Sequence, residues 1–509
     1  MRPHHFFQSH RGDFFAFVAG ILYTLAFAPF NHAYLILLAL MLLFFSWQQV
    51  SPKRALLRGY LFGLGEFGLG LSWVYISIHD FGHASVLSAS TLTVLFFAFW
   101  ALFPALVGFV CAKLANRMNR VLAVPALWLL VEYLRGHWVL NGFPWLLCGY
   151  SQLDTALAGY IPLFGVYGAS FIVALTASLL LALMQHKHQR LKITLVLMAL
   201  WAGGGYLQTL QWTEAIGTPL RVALIQGNIN QDKKWRPENK INTLQLYKKL
   251  TEQHWDANII VWPETSIPAY LSDINDSFLM PLDHEAKLHN ADLIVSLPIK
   301  DQAKAEKYNA VMTLGKNIAS YHKRHLLPFG ETMPWQPVSG FLLKQLTINL
   351  SDFTAGDNNQ VLLNAGGYPF ITLICYEAAF GDYAIDGLDE AAYLVNVTND
   401  AWFGDSIEPY HHLQIARMRA LETGRYLLRS ANTGWTAIIA PNGKIIQQLP
   451  LFEVGVLSGV ITPMTGVTPY ALLGDTPVIY FVAVLLLGLF LVRQNSKTKV
   501  LNPDKGLSY

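Results

Sequence analysis

Charge is scarce in this chain of 509 residues. Asp, Glu, Lys and Arg make up 14% of it, where a soluble protein carries about a quarter. Hydrophobic types reach 53%, and mean hydropathy is positive. That balance excludes a disordered chain, a collagen-like chain and an ordinary soluble enzyme. Cysteine is scarcer still: Cys111, Cys148 and Cys375 are the three. Internal repeats and low-complexity segments are missing. So are a zinc pattern, despite 16 His, and a phosphate-cradling glycine loop. No basic face stands out at a net charge of +3, so no nucleic-acid partner is expected. The length alone favours two or more domains.

The missing charges are missing in blocks. Residues 14–52, 81–112, 155–186, 193–213 and 476–492 hold no Asp, Glu, Lys or Arg. A helix crossing the hydrocarbon core needs about 20 apolar residues. The pattern predicts eight spans, near 14–30, 34–50, 59–79, 85–110, 121–139, 159–184, 191–211 and 477–492. The third carries Glu66, which reads either as a buried acid with a polar partner or as a functional one. Ala26-Phe27-Ala28 mimics a signal-peptide cleavage site, but Pro29 follows it, so the first span reads as an uncleaved anchor. Basic residues gather in alternate loops: Arg2 and Arg11; Lys53, Arg54 and Arg58; Lys113, Arg117 and Arg120; Lys187, Arg190 and Lys192; then Arg493, Lys497, Lys499 and Lys505. The positive-inside rule puts these loops and both termini in the cytoplasm. The long segment between the seventh and eighth spans then lies outside.

That segment has ordinary charge. Residues 214–492 hold 20 basic and 27 acidic residues. The expected organisation is a membrane domain over 1–213, an extracytoplasmic domain over 214–470, and a last span and tail over 471–509. Strand-like runs recur at 220–226, 258–262, 291–297, 308–314, 369–375, 393–397 and 436–440. Helical windows lie near 237–254, 275–289 and 409–425. Strands alternating with helices predict a layered α/β or α+β domain. Its only cysteine, Cys375, cannot form an internal bridge. It reads as a buried core thiol or as a thiol kept for chemistry in an oxidising compartment.

Three signatures stand out there: Val261-Trp262-Pro263-Glu264-Thr265-Ser266, Tyr321-His322-Lys323-Arg324-His325-Leu326-Leu327-Pro328-Phe329-Gly330-Glu331, and Ile374-Cys375-Tyr376-Glu377. Taken singly they are a loop acid, a charged edge and a core thiol. Together, in this order, they resemble the nitrilase (carbon–nitrogen hydrolase) superfamily over 220–462. The resemblance implies an α-β-β-α sandwich and a catalytic trio of Glu264, Lys323 and Cys375. Such a domain between a seventh and an eighth span is similar to the apolipoprotein N-acyltransferases of Gram-negative bacteria. Further motifs agree: Gln226-Gly-Asn-Ile229, Lys234-Trp235, Asn399-Asp-Ala-Trp402-Phe-Gly404, Arg417-Met-Arg-Ala-Leu-Glu422, Arg429-Ser-Ala-Asn432-Thr-Gly434, Gly142-Phe-Pro-Trp-Leu146 and Gly149-Tyr-Ser-Gln152. Leu327 replaces the usual valine, and Ala431 stands where threonine is common.

The resemblance implies transfer of a fatty acyl group from a membrane phospholipid to the N-terminal amine of a diacylated apolipoprotein, in the bacterial inner membrane. It implies no cofactor and no metal. A free thiol has a pKa near 8.5 and needs a base. Glu264 is that base, provided partial burial raises its ordinary value. Lys323 faces the oxyanion. Glu331 and Glu377 are supporting carboxylates or structural ion-pair partners. Trp235, Tyr376 and Trp402 line a lipid entry or pack as core, and Asn399 belongs to the supporting set. Apolar residues over 335–350 (Trp335, Phe341, Leu342, Leu343, Leu346) read as a lid at the bilayer surface. Two other readings stay open: a tethered amidase that uses water as acceptor, and a transporter or lipid-binding protein. Nothing in the chain demands more than a monomer.

Overall fold

The computed structural model describes residues 10–114, 119–333 and 353–500. The segment read as a lid, 335–350, lies outside them. The chain divides into two compact units. One holds residues up to Ser72, Leu92–Leu210 and the residues from Asp475 onward. The other holds Trp73–Thr91 and Gln211–Gly474.

The first unit is helical. A helix falls on each of the eight expected windows: His10–Thr24, Leu35–Ser46, Pro52–Gly70, Val86–Trp100 with Leu102–Leu114, Arg120–His137, Ile161–Gln185, Arg190–Leu207 and Thr476–Val500. Among the described residues, fewer are long and apolar enough to cross a membrane. Val86–Leu114 and Ala156–Gln185 meet that standard. Pro52–Gly70 with Val74–Phe81 makes a third only if this pair, bent by 62°, counts as one span. Local signals cut the charge-free windows into shorter helices. The Ser51 side chain accepts from the Arg54 N–H and Pro52 opens the third helix, so that helix starts at a cap and not at its first apolar residue.

Close packing and a few buried polar groups hold this unit. A Cβ on Gly20 would lie 1.9 Å from the Phe62 carbonyl oxygen, so only glycine lets those two helices approach. Glu132 Oε1 accepts from Trp128 Nε1 and from the Cys148 N–H, each at 3.0 Å. Cys111 and Cys148 are both buried. Glu66 is buried too. With Glu132, Arg135 and Trp128 it lines a cavity of about 20 Å³, and its Oε2 has no hydrogen-bond partner among the described residues.

The second unit is built on two six-stranded sheets. The strands in chain order are β1 Glu214–Ala215, β2 Leu220–Gln226, β3 Ile259–Val261, β4 Asp292–Asp301, β5 Glu306–Leu314, β6 Ala319–His322, β7 Leu363–Ala365, β8 Tyr368–Ile374, β9 Tyr393–Thr398, β10 Leu427–Ala431, β11 Ala437–Ile439, β12 Ile445–Gln448, β13 Gly455–Ile461 and β14 Met464–Thr465. One sheet runs β13-β2-β3-β4-β5-β6 and the other β12-β11-β10-β9-β8-β7; β1 and β14 form a separate pair. The centres of both sheets are parallel: β2, β3 and β4 in one, β8, β9 and β10 in the other.

Side-chain alternation makes the layers. Leu220, Val222, Leu224, Ile259 and Val261 of the first sheet share one core with Phe370, Tyr393, Val395, Val397 and Leu428 of the second. The opposite face of the first sheet, with Ala223, Ile225 and Ile260, packs on Leu244 and Tyr247 of helix Pro237–Glu252 and on Leu282 and Ala286 of helix Met280–Leu288. The opposite face of the second, with Ile371, Leu373 and Leu394, packs on Leu413, Ala416 and Ala420 of helix Glu408–Thr423. Both faces of each sheet are covered, as parallel strands require. The order of layers is helix, sheet, sheet, helix.

Candidate active site

Three strand ends carry the three signature residues. Glu264 follows β3 through Trp262 and Pro263. Lys323 directly follows β6, and its N–H donates to the Asn309 carbonyl at 2.8 Å. Cys375 directly follows β8 and opens a short 3-10 turn, Cys375–Ala379. Cys375 has φ +51° and Thr265 has φ +45°. Each is a left-handed backbone in a residue with a side chain, at a cost of about 1–3 kcal/mol that the surrounding sheet has to hold.

The charges converge on one lysine. Lys323 is 1% exposed and Glu264 is 7% exposed. Lys323 Nζ lies 2.6 Å from Glu331 Oε2 and 3.6 Å from Glu264 Oε1. Burial works against the Lys323 charge, but Glu331 and Glu264 outweigh it and raise its pKa, so it is a fixed cation. Burial pushes the Cys375 thiol up, Glu264 adds to the rise, and Lys323 opposes it. The thiol is therefore protonated at neutral pH and needs a base at the moment of attack.

Glu377 does something different from Glu331. Its Oε1 accepts from the Tyr321 hydroxyl and from the backbone N–H groups of Arg324 and His325; its Oε2 accepts from the Ile374 N–H. It ties the chain just before Cys375 to the chain just after Lys323. Burial raises its pKa, and the N–H donors pull the other way. Glu377→Gln places an amide NH₂ against this ring of donors. We expect a lowered thermal midpoint, worth about 1–3 kcal/mol, and an unchanged melting curve would contradict the clamp.

Comparison with known proteins covers almost the whole chain. Residues 19–179 match the apolipoprotein N-acyltransferase N-terminal domain, and residues 221–470 match the carbon–nitrogen hydrolase family. The apolipoprotein N-acyltransferase of Methylococcus capsulatus is 49% identical over 91% of this chain and 93% of its own. That of Pseudomonas aeruginosa is 41% identical, covering 95% of this chain and 96% of its own. That of Coxiella burnetii is also 41% identical, covering 94% and 99%. This chain belongs to the apolipoprotein N-acyltransferase family.

The remaining residues expected at the site of this N-acyltransferase fall into two groups. Tyr376 is buried, with its ring 5.2 Å from Phe380 and 5.7 Å from His325, so it packs. Asn399 is buried between Gln231 Oε1 and Asn432 Nδ2. Trp235 is 49% exposed and Trp402 is 43% exposed. The Trp402 carbonyl accepts from the Ser77 hydroxyl at 2.7 Å, and its ring meets Phe81 edge-on.

Sequence reasoning missed Asn309 and gave Lys234 no role. Asn309 Nδ2 donates to both Glu264 Oε1 and Glu331 Oε1, at 2.8 and 2.9 Å. Its one signal was a polar residue inside an apolar strand. Lys234 is buried. Its Nζ donates to the Glu264 carbonyl at 3.1 Å and to Thr265 Oγ1 at 2.6 Å. Burial pushes its pKa down to about 8, against the pull of Glu264 and Cys375. Between that value and the ordinary lysine value near 10.4, the unfolded chain keeps a proton that the folded chain has released. Stability linked to Lys234 therefore rises with pH across that window. Thermal melts across it should show wild type gaining on Lys234→Met as pH rises; parallel curves would contradict it.

A third missed group is Asp400, Glu408 and His412, whose ligand atoms lie within 4.8 Å of one another. Arg429 Nη2 already pairs with Asp400 Oδ2 at 2.8 Å. The cluster has its positive charge from the protein itself.

Proposed function

We propose that this N-acyltransferase works through a thioester on Cys375. The supporting observation is that Lys323 pairs with both Glu264 and Glu331, and that the buried Lys323 and Glu264 both act electrostatically on the Cys375 thiol. Glu264 takes the S–H proton as sulfur attacks the ester carbonyl of a phospholipid acyl chain. The carbonyl oxygen becomes an oxyanion, and Lys323 stabilises it. The C–O bond then breaks, and the leaving alkoxide takes the proton from Glu264. Lysophospholipid departs and the acyl group stays on sulfur. In the second half, the N-terminal amine of a diacylglyceryl-cysteine apolipoprotein attacks the thioester. Glu264 accepts an N–H proton, the C–S bond breaks, and the proton returns to sulfur. The product is an amide, and the enzyme is restored.

Glu331 holds Lys323 in place, with Asn309 linking it to Glu264. Glu377, Tyr376 and Asn399 support the loops around them. Trp235 and Trp402 meet the lipid substrates. The finer membrane arrangement is part of the same reading: eight spans, both termini cytoplasmic, and residues 214–470 on the periplasmic side of the inner membrane, in a monomer. The alternate basic loops support it. Reporter fusions at residues 188 and 300 should give cytoplasmic and periplasmic signals respectively; the reverse would overturn the orientation.

The transfer itself is tested with purified protein, labelled phospholipid and a diacylated lipopeptide. Ping-pong kinetics with label on the lipopeptide amine is the expected result. Label released as free fatty acid at the same rate with and without lipopeptide would instead make the protein a hydrolase.

A further inference from the structure

Glu264 and Lys323 are not the only groups that act on Cys375. Strands β8, β9 and β10 lie side by side and parallel. Cys375 stands just past the end of β8, Thr398 ends β9, Asp400 follows it, and Arg429 sits within β10. Thr398, Asp400, Arg429 and His412 of helix Glu408–Thr423 are all buried. Asp400 Oδ1 accepts from the Thr398 hydroxyl and from His412 Nδ1, each at 2.9 Å. Asp400 Oδ2 accepts from Arg429 Nη2 at 2.8 Å. Gly434 makes room for this carboxylate, since a Cβ there would lie 2.0 Å from Oδ2.

This network reaches Cys375. His412 Nε2 lies 3.2 Å from the Cys375 carbonyl oxygen. Ile374 of β8 stands opposite Val397 of β9, which brings Cys375 beside Thr398, and the Thr398 hydroxyl works against the rise of the thiol. A carboxylate and a carbonyl can only accept, so the contacts of His412 call for a proton on both ring nitrogens. Burial and Arg429 lower the His412 pKa below its ordinary value, against Asp400 and the Cys375 carbonyl, which favour the charged ring. Burial also opposes the Asp400 charge, yet Arg429 and His412 hold its carboxyl down at about 2. Asp400 is thus a permanent anion that anchors both arms. The left-handed backbone of Cys375 is the feature that needs such an anchor.

We propose that His412 and Thr398 are positioning residues for the nucleophile, with His412 holding the Cys375 peptide and Thr398 the sulfur. This rests on the thioester reading above. While the thiol is protonated, S–H donates to Thr398 Oγ1, whose own proton goes to Asp400. Once Glu264 removes the thiol proton, the Thr398 O–H turns to the thiolate. The Thr398 hydroxyl therefore favours the reactive form, and His412 keeps the sulfur aimed at the ester.

Two paired substitutions in the full-length, detergent-solubilised protein test this. Thr398→Val keeps the shape and removes the hydroxyl, and Thr398→Ser keeps the hydroxyl. We expect the pH midpoint of Cys375 alkylation by iodoacetamide to rise by about one unit in the valine variant and to return in the serine variant. His412→Leu should slow single-turnover loss of lysophospholipid about 10- to 100-fold with KM for phospholipid unchanged. His412→Gln, which can still donate to the carbonyl, should recover part of the rate. Equal alkylation profiles in wild type and Thr398→Val would overturn the sulfur arm. Equal rates in His412→Leu and His412→Gln at equal thermal midpoints, or a change confined to KM, would overturn the peptide arm. Alkylation needs no phospholipid. A Cys375 that alkylates normally but forms no thioester would therefore fail the thioester reading and leave the thiol-positioning result standing.

Discussion

Cys375→Ala should lower acyl transfer by about 10⁴-fold or more, because removing a covalent nucleophile removes the path and not merely one contribution to it. Cys375 is the only cysteine in residues 214–470. Cys111 and Cys148 are buried in the other unit, so neither can substitute for it. Cys375 as a whole residue is half-buried, and its loop is held by the β8 end and by Glu377 at the Ile374 N–H. Alanine removes sulfur without disturbing those contacts, so the variant should melt like the wild type. The check is initial rate of lipopeptide acylation beside a thermal melt. Loss below about 10-fold would require a different nucleophile.

Lys323→Met should cost about 10²- to 10³-fold in the rate of thioester formation, the usual effect of losing one oxyanion donor. It should also destabilise the fold. Methionine leaves the buried Glu264 and the half-buried Glu331, both bound to Asn309 Nδ2, without their cation. Breaking a buried pair at one partner costs about 3–5 kcal/mol. The two effects can be separated. Lys323→Met with Glu331→Gln removes one uncompensated charge, so the double variant should recover part of the stability. It should recover none of the rate, because the oxyanion still lacks its cation. A double variant that regains activity would show that Lys323 acts only by holding the fold together.

Much of the site was legible because strand chemistry is local. A β-branched run followed by Pro-Glu, or by Cys-Tyr-Glu, marks a rigid strand that stops where a functional group begins. Glu264 and Cys375 stand at such ends, and Lys323 at the end of β6. The apolar run of β2 was readable as a strand, but its two covered faces, with Val222 and Leu224 in one core and Ala223 and Ile225 in another, come from the structure. What was not legible depends on partners far away in the chain. Asn309 looks like any polar residue in β5 until β3 and the loop at Glu331 bring two carboxylates to it. Asp400 and His412 lie 25 and 37 residues past Cys375, and only the parallel packing of β8 and β9 under helix Glu408–Thr423 brings them to its loop. Charge-free windows report composition and say little about helix length. That is why eight windows became helices of which two or three meet the standard for a span.

The whole mechanism turns on a covalent acyl group on one sulfur. Purified protein mixed with phospholipid alone, quenched at low pH and digested, should give a peptide containing Cys375 heavier by one fatty acyl group. Hydroxylamine should remove that mass, and so should a diacylated lipopeptide added before the quench. A Cys375 peptide of unmodified mass, from protein that transfers the acyl group at its normal rate, would rule out the thioester.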